Sequence, residues 1–360
     1  MKHLELFAGI GGFRKAFDIF GEDFKLPMHC IGYSELDVFA NKTYSANFET
    51  KNEVALGDIV EFTANEKNIE NLEDFDILTG GFPCQSFSMM GKQKGFDDIR
   101  GNVFFKVIDI LKIKKPKFIL LENVKNIITH DKGNTIKVIE NEIRKVGYKN
   151  IYYNVFNTEN FGLAQKRNRV FIFATLEELP KNFEFNEKSV LDNFKKNIKK
   201  SSLLRQKTVL DVLDKEVEKK YYLSDTLKPT ILSNGSKNFE SKSEINQLIA
   251  RPLTATMVKM HRACQDNYFS HEFLNSNNPI EYLKTEYSKE EQAKHRIRRL
   301  TPHEAFLLQG FDKEFTNNAI KEGVSNHQLY KQAGNAVSVN TVYAILHYLF
   351  IKNSLIRYVL

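Results

Sequence analysis

The chain has 360 residues, of which 42% are hydrophobic and 27% charged, enough to bury a large core and to form about two domains. Its formal net charge of +7 suits a polyanionic partner, although ordinary solvated lysines explain such an excess equally well. Three sparse cysteines without a Cys-x-x-Cys pair argue against a disulfide framework and against a metal site. With no signal peptide and no apolar run long enough for a membrane span, we expect a soluble cytoplasmic protein.

Short apolar runs alternate with helix-period segments in the first half of the chain. The pattern predicts five buried strands, at residues 4–8, 29–33, 75–79, 118–121 and 170–174. Between the third and fourth, Val103, Val107, Ile110 and Leu111 fall on one helical face. Strand, helix and strand at this spacing indicate an α/β fold with a doubly wound, mostly parallel sheet.

The character of the sequence changes after about residue 174. Residues 180–245 are rich in Lys, Asn, Glu and Ser and have weak periodicity, which predicts a second, smaller and irregular domain. Apolar patterning returns at residues 302–311 and again at 333–350. In the last segment Val337 and Val342 are expected to share one helix face with Ile345, Leu346 and Leu349.

Ligands of an open parallel sheet bind beyond the carboxyl ends of its strands. The glycine-rich residues 7–12 follow the first strand, but their spacing is not that of the dinucleotide fingerprint. Glu35 follows the second strand, where an acid commonly binds ribose hydroxyls, and Asp58 could reach an adenine amino group. A plain surface residue and a turn residue are the respective alternatives.

Cys84 follows Gly80-Gly81-Phe82-Pro83 and precedes Gln85-Ser86-Phe87-Ser88. An inert buried cysteine rarely occupies such a loop, so a nucleophilic thiolate is favoured. No histidine lies in a comparable motif, whereas Glu122 ends a neighbouring strand. A cysteine and an acid without histidine suit addition to an electron-poor ring better than acyl transfer.

Arg167 and Arg169 lie two residues apart on a segment that runs into the predicted strand at residues 170–174. Side chains at this spacing on an extended chain point to the same face. The pattern therefore predicts that both arginines address one site, with a structural salt bridge as the alternative for either.

These motifs, in this order, resemble those of the C5-cytosine DNA methyltransferases, most closely the small bacterial modification enzymes. The matching segments are residues 6–12, 80–88, 122–124, 165–169, 299–310 and 332–337. The second contains the Pro-Cys-Gln sequence around Cys84, and the third is Glu-Asn-Val. Glu5 stands where many relatives have Asp, and Ala336 where some have Ser.

The resemblance implies a Rossmann-like fold and transfer of a methyl group from S-adenosylmethionine to C5 of cytosine. Cys84 is then the nucleophile, Glu122 acts at N3, Arg169 contacts the base and Arg167 supports the nucleophile loop. The implied cofactor contacts are Phe7, Ile10, Glu35, Leu36, Asp58, Ile59, Pro83, Val103, Asn335 and Val337.

The resemblance also implies double-stranded DNA as the partner and a catalytic domain made of residues 1–185 and 328–360. Residues 186–327 then form the target-recognition domain and hinge. The cytosine must leave the helix to react, and the loop expected to close over it carries Gln85, Ser88, Lys92 and Arg100. The expected base-contacting residues are Thr254, Thr256, Lys259 and Arg262, with a polar loop that touches no base as the alternative.

A bacterial restriction-modification context, with a separate cognate endonuclease and a monomeric enzyme near the nucleoid, is also expected from the resemblance. Three other functions are compatible with parts of the sequence. They are a tRNA cytosine methyltransferase on the same fold, a DNA-binding module with a silent site, and a dinucleotide oxidoreductase. The glycine spacing and the Pro-Cys-Gln loop disfavour the last.

Overall fold

Apolar, β-branched and aromatic runs form a seven-stranded sheet in the computed structural model, which describes residues 1–83, 103–197, 201–236 and 239–359. The strands of this sheet are β1 (Lys2–Leu6), β2 (His29–Tyr33), β3 (Val54–Ala55), β4 (Ile77–Gly81), β5 (Phe118–Val124), β6 (Asn150–Asn157) and β7 (Asn168–Thr175). Their order is β3-β2-β1-β4-β5-β7-β6. The first five are parallel, while β7 is antiparallel to both β5 and β6. The predicted mostly parallel sheet is confirmed, and all five predicted strands belong to it.

Four further short strands lie outside this sheet, namely β8 (Gly235–Ser236), β9 (Phe239–Glu240), β10 (Tyr268–Ser270) and β11 (Ile297–Arg299). In chain order the helices of the described residues are α1 (Gly12–Phe24), α2 (Val38–Asn47), α3 (Ile59–Thr63), α4 (Glu66–Glu70), α5 (Val103–Lys114), α6 (Asn134–Lys145), α7 (Glu187–Asn197), α8 (Lys228–Leu232), α9 (His271–Leu274), α10 (Pro279–Tyr282), α11 (Lys289–Lys294), α12 (Pro302–Leu307), α13 (Lys313–Lys321), α14 (Asn326–Asn335) and α15 (Val339–Leu346). None of them combines the length and the apolar character that crossing a membrane requires.

Helices cover both faces of the sheet, because successive strand residues point to opposite sides. Leu4 packs on one face in a cluster that includes Val107 of α5 and Ile139 of α6. His3 points to the other face and stacks on Phe17 of α1, with 4.4 Å between ring centroids. The predicted doubly wound arrangement is therefore confirmed.

The chain divides into two compact units, each built from more than one segment. We call Met1–Phe161, Asn168–Leu203 and Val337–Leu360 the sheet unit, and Gly162–Arg167 and Leu204–Ala336 the insert unit. The expected boundary after residue 185 lies instead after Leu203, because α7 packs on the sheet unit. The ring centroids of Phe194 in α7 and Phe161 are 5.5 Å apart, and the side chain of Asn193 forms a hydrogen bond with the His347 ring at 2.8 Å.

The second expected boundary, before residue 328, lies instead before Val337. Helix α14 belongs to the insert unit, where the Tyr330 hydroxyl donates to the backbone oxygen of Leu300. The helix face expected over residues 333–350 is wrong in one respect. The backbone is extended at Ala336 and Ser338, so Val337 lies in the connection between α14 and α15.

The insert unit is organised around a buried ion pair. Both terminal nitrogens of Arg298 donate to the carboxylate of Glu304, at 2.9 and 2.8 Å, and both side chains are fully buried. The same carboxylate accepts the backbone N–H of Thr301, while the Thr301 hydroxyl caps α12 in return. A buried charge pair is tolerated when hydrogen bonds support it, and here the carboxylate and both terminal guanidinium nitrogens are satisfied, whereas Nε of Arg298 has no partner among the described residues.

A buried acid also lies in the sheet unit, on β1. Glu5 is fully buried, and its carboxylate accepts a hydrogen bond from the Tyr44 hydroxyl at 3.3 Å. Burial raises the pKa of Glu5 to about 8, and the nearby Arg14 offsets part of this effect. Arg14 itself pairs with Asp18 at 3.0 Å and with Glu53.

The stability of the fold should therefore depend on pH through Glu5. The folded chain holds this proton more tightly than the unfolded chain does, so the stabilising contribution is complete below about pH 4.5 and is lost as the pH rises to about 8. Glu5→Gln removes this contribution. We expect the free energy of unfolding of the wild type, relative to that of the variant, to fall across this range in urea titrations followed by circular dichroism. A difference that is constant with pH would contradict this.

Candidate active site

The loop between β1 and α1 approaches the end of β2 closely. Phe7, Gly9 and Gly11 have positive φ angles of 54°, 56° and 82°. A side chain at Gly11 would lie 2.3 Å from the ring of Phe48, which explains the glycine there. The backbone N–H of Phe7 donates to the Ser34 hydroxyl at 3.0 Å, so the residue after β2 holds the backbone turn that follows β1. Ile10, in the same loop, is buried.

Glu35 links these two strand ends. One carboxylate oxygen accepts the Gly9 N–H at 2.8 Å, and the other accepts the Asp37 N–H at 2.7 Å. Asn41 adds a hydrogen bond from its side chain to the Glu35 backbone oxygen at 2.9 Å. Beside Glu35, the side chain of Leu36 is 66% exposed. An oriented carboxylate thus stands next to an apolar side chain that the described residues leave uncovered.

Asp58 is the N-cap of α3, because its carboxylate accepts the Val60 N–H at 2.8 Å. Ile59 next to it is buried. Asp58 therefore has a local capping role, and its contact with an adenine stays a prediction.

The remaining expected cofactor contacts lie in different settings. Val337 is half-buried, and its Cγ1 atom lies 2.5 Å from the position that a Cβ of Gly12 would take. Val103 begins α5 and packs partly on the apolar core, whereas Pro83 is exposed. Asn335 is exposed at the end of α14, in the insert unit.

Glu122 lies at the carboxyl end of β5 and forms an ion pair with Arg169 of β7. The Glu122 Oε1 and Arg169 Nε atoms are 3.0 Å apart, and their side chains are 13% and 19% exposed. Glu122 pairs in register with Gly81 of β4, where an added Cβ would lie 3.1 Å from Glu122 Oε2. The acid is therefore next to the strand end that leads into Cys84.

Asn123 strengthens this strand end, although sequence analysis gave it no separate role. Its side chain donates to the backbone oxygen of Phe82 at 2.8 Å, so β5 holds the exit of β4. The Glu-Asn-Val match at residues 122–124 was the signal that could have identified it. Five predicted residues, namely Cys84, Gln85, Ser88, Lys92 and Arg100, lie outside the described residues.

Arg167 and Arg169 have different hydrogen-bond and ion-pair partners among the described residues. Arg167 precedes β7 and is buried in the insert unit. Its guanidinium donates to the backbone oxygens of Leu253, Gly334 and Ala336, at 2.8, 2.9 and 3.0 Å. Strand β7 begins at Asn168, so only Arg169 is part of the strand, and a site shared by the two arginines stays a prediction.

The four expected base-contacting residues all belong to the insert unit. Thr254, Thr256 and Lys259 are exposed, and Arg262 is half-buried. The two threonine hydroxyls lie 3.4 Å apart. A side chain at Gly334 would lie 2.2 Å from the backbone of Thr254, so α14 supports this segment at close range.

Comparisons with known proteins agree with this geometry. The family model of the C-5 cytosine-specific DNA methylases matches residues 1–350. The chain belongs to this family. It is 37% identical over 344 residues to the type II methyltransferase M.HaeII of Haemophilus aegyptius, covering 96% of this chain and 91% of that one. It is 36% identical over 350 residues to M.SsoII of Shigella sonnei, covering 95% and 78%.

Solved structures give the same fold. The Entamoeba histolytica methyltransferase EhMeth superposes with a TM-score of 0.71 at 22% identity, covering 98% of each chain. The Dnmt2 methyltransferase of S. pombe superposes with a TM-score of 0.70 at 18% identity, covering 97% of this chain and 98% of that one.

This DNA (cytosine-5-)-methyltransferase uses S-adenosylmethionine as its methyl donor. The residues at the carboxyl ends of β1 and β2 fit such a group. Within the part of the chain that the structure describes, no atom outside the loop's immediate neighbours lies within 4 Å of the position that a Cβ of Gly9 would take, so these residues leave open space beside the loop. The Glu35 carboxylate can accept from hydroxyls, and exposed Leu36 offers an apolar surface to a base.

Arg167 should matter first to stability. The single ammonium nitrogen of a lysine cannot take the places of both terminal nitrogens of Arg167, so at least one of the three buried carbonyls loses its donor, at a cost of about 1–3 kcal/mol for each. We expect Arg167→Lys to lower the free energy of unfolding accordingly, measured by chemical denaturation. Arg144→Lys is the matched control, because exposed Arg144 donates to one carbonyl only, at 3.2 Å. Equal stability of the two variants would refute the bracing role of Arg167.

Proposed function

We propose that this methyltransferase acts through a covalent adduct between Cys84 and the target cytosine, with Glu122 acting at N3 of the base. One observation carries the proposal. The carboxylate of Glu122 is adjacent to Gly81 of β4, three residues before Cys84, and Arg169 orients it at 3.0 Å. An acid next to the nucleophile loop is what addition to a pyrimidine ring requires.

The proposed reaction begins at C6 of the cytosine and ends with release of Cys84. The Cys84 thiolate adds to C6 while Glu122 donates a proton to N3, which moves electron density to C5. When bound, the cofactor would supply an electrophilic methyl group to C5, with the electron pair of the broken methyl–sulfur bond left on the cofactor sulfur. A base then removes the proton from C5, and the C6–S bond breaks with its electrons returning to Cys84. N3 returns its proton to Glu122, and the aromatic ring is restored.

The cofactor-binding residues in this proposal surround the ends of β1 and β2. Phe7 packs on the cofactor, Glu35 accepts from its ribose hydroxyls and Asp58 from its adenine amino group. The other residues of the sheet unit that we propose as cofactor contacts are Ile10, Leu36, Ile59, Pro83, Val103 and Val337. Asn335, in the insert unit, stays a separate prediction. Open space at Gly9 and the exposed side chain of Leu36 support this assignment.

The chemistry also requires the cytosine to leave the double helix. C5 and C6 of a stacked base cannot be reached by a thiolate and a methyl donor together, and extrusion costs a few kcal/mol. We propose that the loop with Gln85, Ser88, Lys92 and Arg100 closes over the DNA and offsets this cost. Arg169 then contacts the flipped base, and Arg167 supports the nucleophile loop.

We further propose that the insert unit recognises the DNA target. The exposed side chains of Thr254, Thr256 and Lys259, together with Arg262, can donate to or accept from base edges. The relatives named above are type II methyltransferases. These names support a restriction-modification context with a separate cognate restriction endonuclease. We also propose that the enzyme acts as a monomer in a bacterial cytoplasm, at the nucleoid.

Bisulfite sequencing of plasmid DNA from cells that express the gene tests the proposal. We expect 5-methylcytosine at one short sequence with the wild type and none with Cys84→Ser, because only sulfur forms the adduct. The variant should still bind DNA in a mobility-shift assay. Near-normal methylation by Cys84→Ser would refute the covalent mechanism. No methylation of duplex DNA by folded, cofactor-binding wild type would point to tRNA as substrate or to a silent DNA-binding module.

Glu122→Gln keeps the size of the side chain but removes the acid. We expect turnover of a duplex substrate to fall by about 100-fold or more, in the range of general acid catalysis, with cofactor affinity preserved. Glu178→Gln is the control, because exposed Glu178 follows β7 and its backbone oxygen forms its only described hydrogen bond. An unchanged rate for Glu122→Gln would remove Glu122 from the reaction.

A further inference from the structure

Two adjacent arginines at the end of β11 are used in opposite ways. Arg298 is fully buried and donates to Glu304 and to the backbone oxygen of Asp214. Among the described residues, the guanidinium of Arg299 has no hydrogen-bond acceptor and no ion-pair partner. It lies instead 5.9 Å from the ring centroid of Tyr221 and 5.5 Å from that of Tyr330.

The two tyrosines are themselves fixed. The Tyr330 hydroxyl donates to the backbone oxygen of Leu300, and the Tyr221 hydroxyl accepts from the side chain of Asn326 at 3.1 Å. Cation–π contacts at these distances hold a guanidinium without using its N–H donors. Arg299 is therefore oriented in advance, which lowers the entropy that a ligand contact would cost.

Arg299 lines a recess of the insert unit that also contains a carboxylate. Leu253, Met257 and Leu300 form apolar parts of its wall, and Asp266 is one of its polar members. One Asp266 oxygen accepts the His261 N–H at 2.8 Å, and no described residue donates to the other. Burial raises the pKa of Asp266 to about 6. Asp266 and Arg299 do not pair with each other within the described residues.

The other polar side chains of the recess are engaged by the protein. The amide group of Asn267 accepts the Arg251 N–H at 2.7 Å and donates to the Arg251 backbone oxygen at 3.1 Å. The Tyr268 hydroxyl donates to the backbone oxygen of His261 at 2.6 Å. A forked donor on Arg299 and one acceptor oxygen on Asp266 are thus available to a ligand.

This combination favours a base pair over a phosphate. A phosphate would gain from the guanidinium but would be repelled by the carboxylate of Asp266. A G·C pair matches both groups, because in the major groove guanine presents the acceptors O6 and N7 and cytosine presents its N4 amino group as a donor. Met257 and Leu253 flank Thr254 and Thr256, so the recess borders the segment already proposed to contact bases.

We propose that Arg299 and Asp266 read one G·C pair of the DNA target. The Arg299 guanidinium donates to the guanine, and the Asp266 carboxylate accepts from an amino group of the same pair. This inference deepens the proposed function, on which it rests, by naming two specificity-determining residues outside the four expected from the sequence.

Selection of bound duplexes from a randomised DNA library, followed by sequencing, tests the inference without requiring methyl transfer. We expect Arg299→Gln to lose about 10- to 100-fold of discrimination at one G·C position and to keep the rest of the preferred sequence. Asp266→Asn, which places a donor in reach of the amino group, should lose preference at the same position. Arg296→Gln is the matched control, because it removes the same charge outside the recess. Arg296 is exposed, and its Cζ atom lies 4.5 Å from the ring centroid of Tyr222.

Each outcome decides between distinct conclusions. Arg299→Gln would identify a phosphate contact and overturn the inference if it lowered the affinity for all sequences equally. The slope of log K against log salt concentration would then become shallower by about one. An unchanged preferred sequence in both folded variants would also overturn it, even with a wild type that methylates DNA normally. If Arg299→Gln fails to fold, as judged by thermal unfolding, Asp266→Asn alone decides. If the variants lose discrimination at one position but the wild type does not methylate DNA, the proposed function is refuted and the base-reading site is retained.

Discussion

The parallel pairing of β4 with β5 is the constraint on which the candidate active site depends. Parallel strands end at the same edge of a sheet, so Gly81 and Glu122 become neighbours although 40 residues separate them along the chain. The antiparallel strand β7 then brings Arg169 beside Val124 on the other side of β5. Backbone pairing alone therefore brings Glu122, Arg169 and the strand end that leads to Cys84 to the same edge of the sheet.

The same principle positions the proposed cofactor site at the ends of β1 and β2. Here the connection is made by hydrogen bonds rather than by an ion pair, with Ser34 and Glu35 accepting from the backbone of the glycine loop. The positive φ angle of Phe7 would be costly without such support, whereas Gly9 and Gly11 adopt theirs without a Cβ clash. The carboxylate that is expected to bind the cofactor is therefore also part of the scaffold that shapes its loop.

Buried arginines organise the insert unit in place of an extended sheet. Arg167 satisfies three backbone oxygens, and Arg298 satisfies the carboxylate of Glu304. Planar guanidinium groups suit this task, since several fixed donors can serve several acceptors at once. Arg299 differs from Arg167 and Arg298, because among the described residues its guanidinium contacts two tyrosine rings and no hydrogen-bond acceptor.

The sequence by itself determined the α/β class, the five predicted strands and the family, because buried parallel strands read as apolar runs and the motifs at their ends are local in sequence. It missed β3, which has only two residues, and β6, in which three asparagines interrupt the apolar and aromatic residues. Only the tertiary structure decided that Arg167 braces the insert unit, that α7 belongs with the sheet, and that Arg299 has no acceptor for its donors among the described residues. These properties depend on which distant carbonyls, rings and carboxylates a side chain meets, and that is set by packing rather than by spacing along the chain.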